Sequence, residues 1–112
     1  MKNTIYMILV ASAVAIFGCG SSTPDNPTAL SATIGAGRVY LSWTPALGAT
    51  GYNVYRGLAS GPVLAKTKIA SNLSEALYSD VSVTVGTNYY YQVTAINATG
   101  ETAASNEVIG AP

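Results

Sequence analysis

The chain has 112 residues and a formal net charge of zero, with five basic side chains, five acidic ones and no histidine. So sparse and balanced a charge set provides no basic surface for a phosphate backbone and argues against nucleic acid as a partner. Without histidine the Ser-His-Asp and Cys-His forms of nucleophilic catalysis are closed, and the length suits one domain with one modest core.

The N-terminus falls into three regions. Lys2 supplies a positive start, Ile5 to Phe17 is a 13-residue uncharged and largely apolar run, and Gly18 and Cys19 precede the polar stretch Ser21 to Pro27. This is the layout of a secretory signal, and the apolar run is short of the roughly 20 residues a membrane-spanning helix needs. Cys19 is the only cysteine, so an internal disulfide is impossible. Ile16-Phe17-Gly18-Cys19 resembles the lipobox of bacterial lipoproteins, in which the cysteine is acylated and becomes the mature N-terminus. Phe17 departs from that pattern, which usually has a small residue two before the cysteine. Ala13-Val14-Ala15 offers a rival small-x-small cleavage site that would leave Cys19 an unpaired thiol. The resemblance implies a membrane partner through a lipid anchor and a place in the bacterial cell envelope. Gly20 after the cysteine favours an outer membrane; secretion is the alternative. The expected division is residues 1–18 as signal peptide, 19–27 as lipidated cysteine and linker, and 28–112 as the folded domain.

Beyond the linker, period-two alternation recurs in short stretches separated by Gly, Pro and Asn, the mark of an all-β domain. A first strand is expected over Ala29 to Ile34, with Leu30, Ala32 and Ile34 on one face, and Gly35-Ala36-Gly37 turns the chain. Arg38 to Thr44 follows, Val39, Leu41 and Trp43 facing the core, and Pro45 ends it for want of a ladder donor. A third strand, Gly51 to Arg56, points Tyr52 and Val54 inward and Asn53 and Tyr55 outward. Val63 to Ile69 reads as a fourth and Ala76 to Asp80 as a short fifth. The sixth, Asn88 to Asn97, places Tyr89, Tyr91, Val93 and Ala95 on one face and Tyr90, Gln92, Thr94 and Ile96 on the other. After Ala98-Thr99-Gly100, a last strand returns over Thr102 to Ile109. Seven strands and one inward tryptophan predict two antiparallel sheets packed face to face, an immunoglobulin-like sandwich preceded by a signal peptide. Its core is Trp43, Tyr52, Val54, Tyr89, Tyr91 and Val93.

The order of Val39-Tyr40-Leu41-Ser42-Trp43, Gly51-Tyr52-Asn53-Val54-Tyr55-Arg56, Tyr78-Ser79-Asp80, Gly86 to Glu101 and Ser105-Asn106-Glu107-Val108 resembles the fibronectin type III family over about residues 27–112. The resemblance implies that family's topology, with Tyr89 as the tyrosine whose hydroxyl ties back to nearby backbone. Val83 and Val85 stand where the family usually has leucine and proline. The family's cell-attachment tripeptide of Arg, Gly and Asp is absent; Arg56-Gly57-Leu58 is its nearest approach. In that topology the third and sixth strands are neighbours, so Tyr55 and Tyr90 are expected on one solvent-facing surface near Arg56. Such a surface either stacks against a sugar or anchors a protein, or simply supports the sheet by cross-strand packing.

Catalysis and metal binding find little support. Asp25, Glu75, Asp80, Glu101 and Glu107 are isolated acids in the sequence, structural zinc lacks its usual cysteine and histidine ligands, and calcium would need converging oxygens. No catalytic residue and no cofactor are expected. Asn72-Leu73-Ser74 and Asn97-Ala98-Thr99 fit the glycosylation pattern, a coincidence in a bacterial host. The expected function is a surface-anchored, non-catalytic structural or protein-binding module for adhesion, spacing or envelope contact. A carbohydrate-associated module is the alternative, with an envelope or extracellular protein or a polysaccharide as partner.

Overall fold

A computed structural model describes residues 23–112; the expected signal peptide and Cys19 lie outside them. Eight strands run in order: β1 (Thr28–Gly35), β2 (Arg38–Thr44), β3 (Gly51–Gly57), β4 (Thr67–Leu73), β5 (Leu77–Asp80), β6 (Tyr89–Asn97), β7 (Gly100–Glu101) and β8 (Val108–Gly110). They form a three-stranded sheet, β1-β2-β5, and a five-stranded one in which β4-β3-β6-β7 is extended by β8 pairing with β6. Every pairing is antiparallel.

The alternation in β2 and β6 generates the core. Val39, Leu41 and Trp43 from one sheet meet Tyr52, Val54, Tyr89, Tyr91, Val93 and Ala95 from the other, all buried, with Leu30 of β1 beside them. Trp43 and Tyr52 meet edge to face with centroids 5.4 Å apart, the geometry that the ring quadrupoles favour. Two tyrosine hydroxyls escape isolation by accepting backbone N–H groups: Tyr52 from Ala46 at 2.9 Å and Tyr89 from Thr84 at 2.8 Å. The second is the tie to upstream backbone that the family resemblance implies for Tyr89.

Several elements differ from the sequence expectation. Ile34 faces inward in register with Val39, yet it is 46% exposed because it sits at the end of an edge strand. β1 also carries a bulge between Thr28 and Ser31, where Ala29 adopts φ 54°. Val63–Ala65 is a 3-10 turn rather than strand, with Leu64 94% exposed at its apex, so β4 starts later and runs on to Leu73. The continuous last strand is broken into β7 and β8, which makes eight strands instead of seven. Across the break the Thr102 and Ser105 hydroxyls accept the Ala95 and Val93 N–H groups, each at 3.0 Å. Side chains there take over a task that a strand's carbonyls would perform.

The register sets two poles. At one lie the β1–β2 turn, residues 58–66, residues 81–88 and the C-terminus; Gly86 N–H bonds the Pro112 carbonyl at 3.0 Å. At the other lie residues 45–50, 74–76 and 98–99, together with the described part of the expected linker. That part is packed onto the domain: Pro24 and Pro27 are buried, and Asp25 N–H bonds the Leu47 carbonyl at 3.0 Å.

Candidate functional site

The outer face of the five-stranded sheet concentrates the polar and aromatic side chains. Tyr55 lies opposite Gln92 in the β3–β6 register, and Gly57 opposite Tyr90. Tyr55 and Tyr90 are therefore diagonal neighbours on one face, about 7–8 Å apart at Cα by sheet geometry. Both are half-buried. Arg56 is one residue out of phase and turns to the opposite side. There its Nη1 binds Asp80 Oδ2 at 2.8 Å, and its guanidinium carbon sits 5.0 Å from the Tyr89 ring centroid. The structure thus brings together two of the three residues expected on this surface and assigns the third to a bridge between the sheets. Lys68, opposite Tyr55 in β4, takes the place beside the ring, its Nζ 5.9 Å from the Tyr55 centroid.

Between the two tyrosines the face is occupied by an ionic knot. Lys66 has a side chain only 1% exposed, and its Nζ donates to Glu107 Oε2 at 2.6 Å, to the Gly61 carbonyl at 2.5 Å and to Gln92 Oε1 at 2.9 Å. Three acceptors satisfy the three ammonium donors, which is how so buried a lysine stays charged. Glu107 also accepts from Ser60 Oγ at 2.6 Å and Gly61 N–H at 3.1 Å. The bonds from Lys66 and Ser60 hold its carboxyl at a pKa of about 2. The knot clips residues 60–66 to the chain just before β8.

A second cluster surrounds Glu101. Its Oε2 accepts from Tyr55 OH at 2.5 Å, Thr94 Oγ1 at 2.5 Å and Asn53 Nδ2 at 2.9 Å. Burial acts to raise the Glu101 pKa, and the bonds from Thr94, Tyr55 and Asn53 outweigh it and lower it. Tyr55 moves the other way, raised by burial and then by Glu101. This cluster explains why Asn53 and Thr94, expected outward, are buried: Glu101 folds over them. Asn53 Oδ1 also accepts the Asn72 N–H at 3.0 Å. β4 carries an extra residue there, between the Tyr52–Leu73 and Val54–Ala70 pairs, and Asn72 has φ 55°, so its N–H is free of the ladder.

Sequence reasoning placed Gln92 on this face with Tyr90 and missed Lys66, Lys68, Glu101 and Glu107 as members of it. Gln92 shares its alternation with Tyr90, a signal present in β6 itself. The lysines and glutamates depend on bulges and strand breaks that period two does not reveal. The Tyr55 hydroxyl is committed to Glu101, which leaves ring surface and the Lys68 charge for a partner. Among the described residues no group of three or more His, Cys, Asp or Glu is placed to hold a metal ion.

One prediction concerns acid. A carboxylate with a lowered folded-state pKa stabilises fully above its unfolded value, and that contribution disappears as pH falls through the folded one. Glu107, ordinarily at 4.5 and here at about 2, therefore loses its contribution between those values. In urea titrations at pH 7, 4, 3 and 2, Glu107→Gln is expected to be less stable than the parent at pH 7, with the gap narrowing below about pH 4.5 and only a small part of it left at pH 2. Parallel curves for the two proteins across this range would exclude the knot as a source of stability.

Two antiparallel sheets of three and five strands, closed over one aromatic core, define an all-β sandwich of immunoglobulin-like type. A Fn3-like protein from Clostridium thermocellum, known as a crystal structure, is 40% identical with a TM-score of 0.73, the match covering 81% of this chain and 96% of that one. The chain belongs to this Fn3-like family. An amylopullulanase from Thermoanaerobacterium thermosulfurigenes is 40% identical over 92 residues, 81% of this chain but 5% of the enzyme. Pectate lyase PelI from Erwinia chrysanthemi, solved in complex with tetragalacturonic acid, is 26% identical with a TM-score of 0.68, over 76% of this chain and 28% of that one. The chain thus spans a small part of each of these enzymes. No protein-family model matches it.

Proposed function

We propose that this protein is a non-catalytic module tethered at a bacterial envelope, serving adhesion, spacing or contact with another envelope protein. Residues 1–18 act as a lipoprotein-type signal peptide, Cys19 carries the acyl chains, and the sandwich over 28–112 is the part displayed. The observation that carries the contact role is the pole opposite the N-terminal segment. Leu58, Leu64, Val81 and Val85 are all strongly exposed there, on loops held by the Lys66 knot and by the Arg56 bonds to Asp80 and Ser82. Exposed apolar side chains on rigid loops suit a protein partner, because little ordering entropy opposes docking. Mass spectrometry of the native protein from membranes tests the anchor: acylated Cys19 is expected, and a free thiol or an intact leader overturns it.

A second reading rests on the Tyr55–Tyr90 face and on the polysaccharide-acting enzymes that contain similar segments. Here the domain is a carbohydrate-associated module whose rings stack on sugars. Soluble starch and pectate are the probes. Retardation of the domain by either in affinity electrophoresis, reduced about tenfold or more in a Tyr55→Ala/Tyr90→Ala variant, supports this reading. No retardation of the parent, or equal retardation of both, overturns it.

A further inference from the structure

We propose that the pole bearing Leu47 rests on the lipid surface, with Leu47 dipping into the headgroup region as a second point of attachment beside the anchor. The inference depends on the acylation of Cys19 proposed above and adds an orientation to it.

The chain enters the sandwich next to Leu47. Asp25 N–H bonds the Leu47 carbonyl at 3.0 Å, and a Cβ on Gly48 would lie 3.5 Å from Pro24 Cα. On the other side, a Cβ on Gly100 would lie 3.7 Å from Thr23 Cγ2. Thr23 and Pro24 therefore occupy the notch between the 45–50 loop and the β6–β7 turn. Only Gly20, Ser21 and Ser22 separate Thr23 from Cys19. Four peptide steps reach at most about 14 Å, and the headgroup layer of one leaflet is roughly 5–7 Å thick. An acylated Cys19 thus holds this pole at the bilayer.

Residues 45–50, Pro-Ala-Leu-Gly-Ala-Thr, carry no charge to oppose insertion, and Leu47 is 82% exposed. The acids near this pole, Asp25, Glu75 and Glu101, would repel anionic lipid, so the contact is apolar and suits zwitterionic headgroups. The opposite pole, with Leu58 and Leu64, then projects about 30 Å outward, the length of the nine-residue β6.

The test uses the mature lipidated protein in vesicles of phosphatidylcholine and phosphatidylethanolamine. Acylation consumes the sulfur of the sole cysteine, so Leu47→Cys and Leu64→Cys each provide a single site for an environment-sensitive fluorophore. At position 47 we expect a blue-shifted emission quenched at least twofold by spin-labelled lipid; at position 64 we expect aqueous emission. Aqueous emission at 47, or a blue shift at 64, on protein whose mass shows acylated Cys19 overturns the orientation and leaves the anchor standing. A mass without acyl chains overturns the anchor and the orientation together. Coupling one lipid chain to Cys19 of unacylated protein isolates the leucine: Leu47→Asp is expected to weaken vesicle partitioning about tenfold, and unchanged partitioning overturns the proposal.

Discussion

Truncation of Trp43 to alanine is expected to lower stability by about 3–5 kcal/mol, the range for removing a large buried ring. Trp43 is 6% exposed, packs edge-on against Tyr52 and joins the β2 side of the core to β3. With no disulfide available from a single cysteine, the loss has no covalent reserve behind it. A comparison with phenylalanine separates burial from polarity. The indole Nε1 is buried without a hydrogen-bond partner among the described residues, so it adds desolvation cost and no compensating bond. Trp43→Phe should consequently cost well under half of what Trp43→Ala does. Urea denaturation of the two variants measures the difference. Equal losses would mean that a phenyl ring recovers none of the indole's packing and would overturn this reading.

The Trp43 environment was legible because β2 alternates without interruption and every second residue is apolar. The same holds for Tyr89, Tyr91 and Val93 in β6, and these two strands carry most of the topology. Legibility failed where polar side chains substitute for backbone. Thr102 and Ser105 look like residues of a continuing strand, and they accept ladder N–H groups across a gap where no strand runs. Asn53 looks like a solvent-facing residue, yet Glu101, 48 positions away, covers it. Lys66 carries the strongest signal for solvent that a side chain can have and is nearly buried. Each case turns on a side-chain contact between strands or across a strand break, from 7 to 48 positions apart, which period two does not reveal. Tyr55 and Tyr90 were placed on a common face by strand parity and by strand order. The same parity sends Arg56 to the other side of β3.

That position makes Arg56 the basis of the second large effect. Replacement by methionine is expected to cost about 3 kcal/mol, within the range for breaking a buried ion pair from one side. Arg56 reaches from β3 in one sheet to Asp80 of β5 in the other. Asp80 is 1% exposed, and its Oδ2 accepts from both Arg56 and the Tyr91 hydroxyl, the latter at 2.7 Å, while Oδ1 accepts from Ser82. Burial acts to raise the Asp80 pKa, and the bonds from Arg56, Tyr91 and Ser82 together hold it below its ordinary value. Removing the cation leaves a buried carboxylate with neutral donors only. Asp80→Asn is milder, about 2 kcal/mol, because Arg56 is 23% exposed and its freed charge turns to water. The two losses should add to more than the double variant shows, since the interaction they share can be lost only once. The pair also ties the loop after β5 to β3 through Ser82, so amide exchange at Ser82 and Thr84 should quicken in Arg56→Met more than exchange in β2. A loss below about 0.5 kcal/mol, the range of ordinary surface substitutions, would show that water already carries the Asp80 charge.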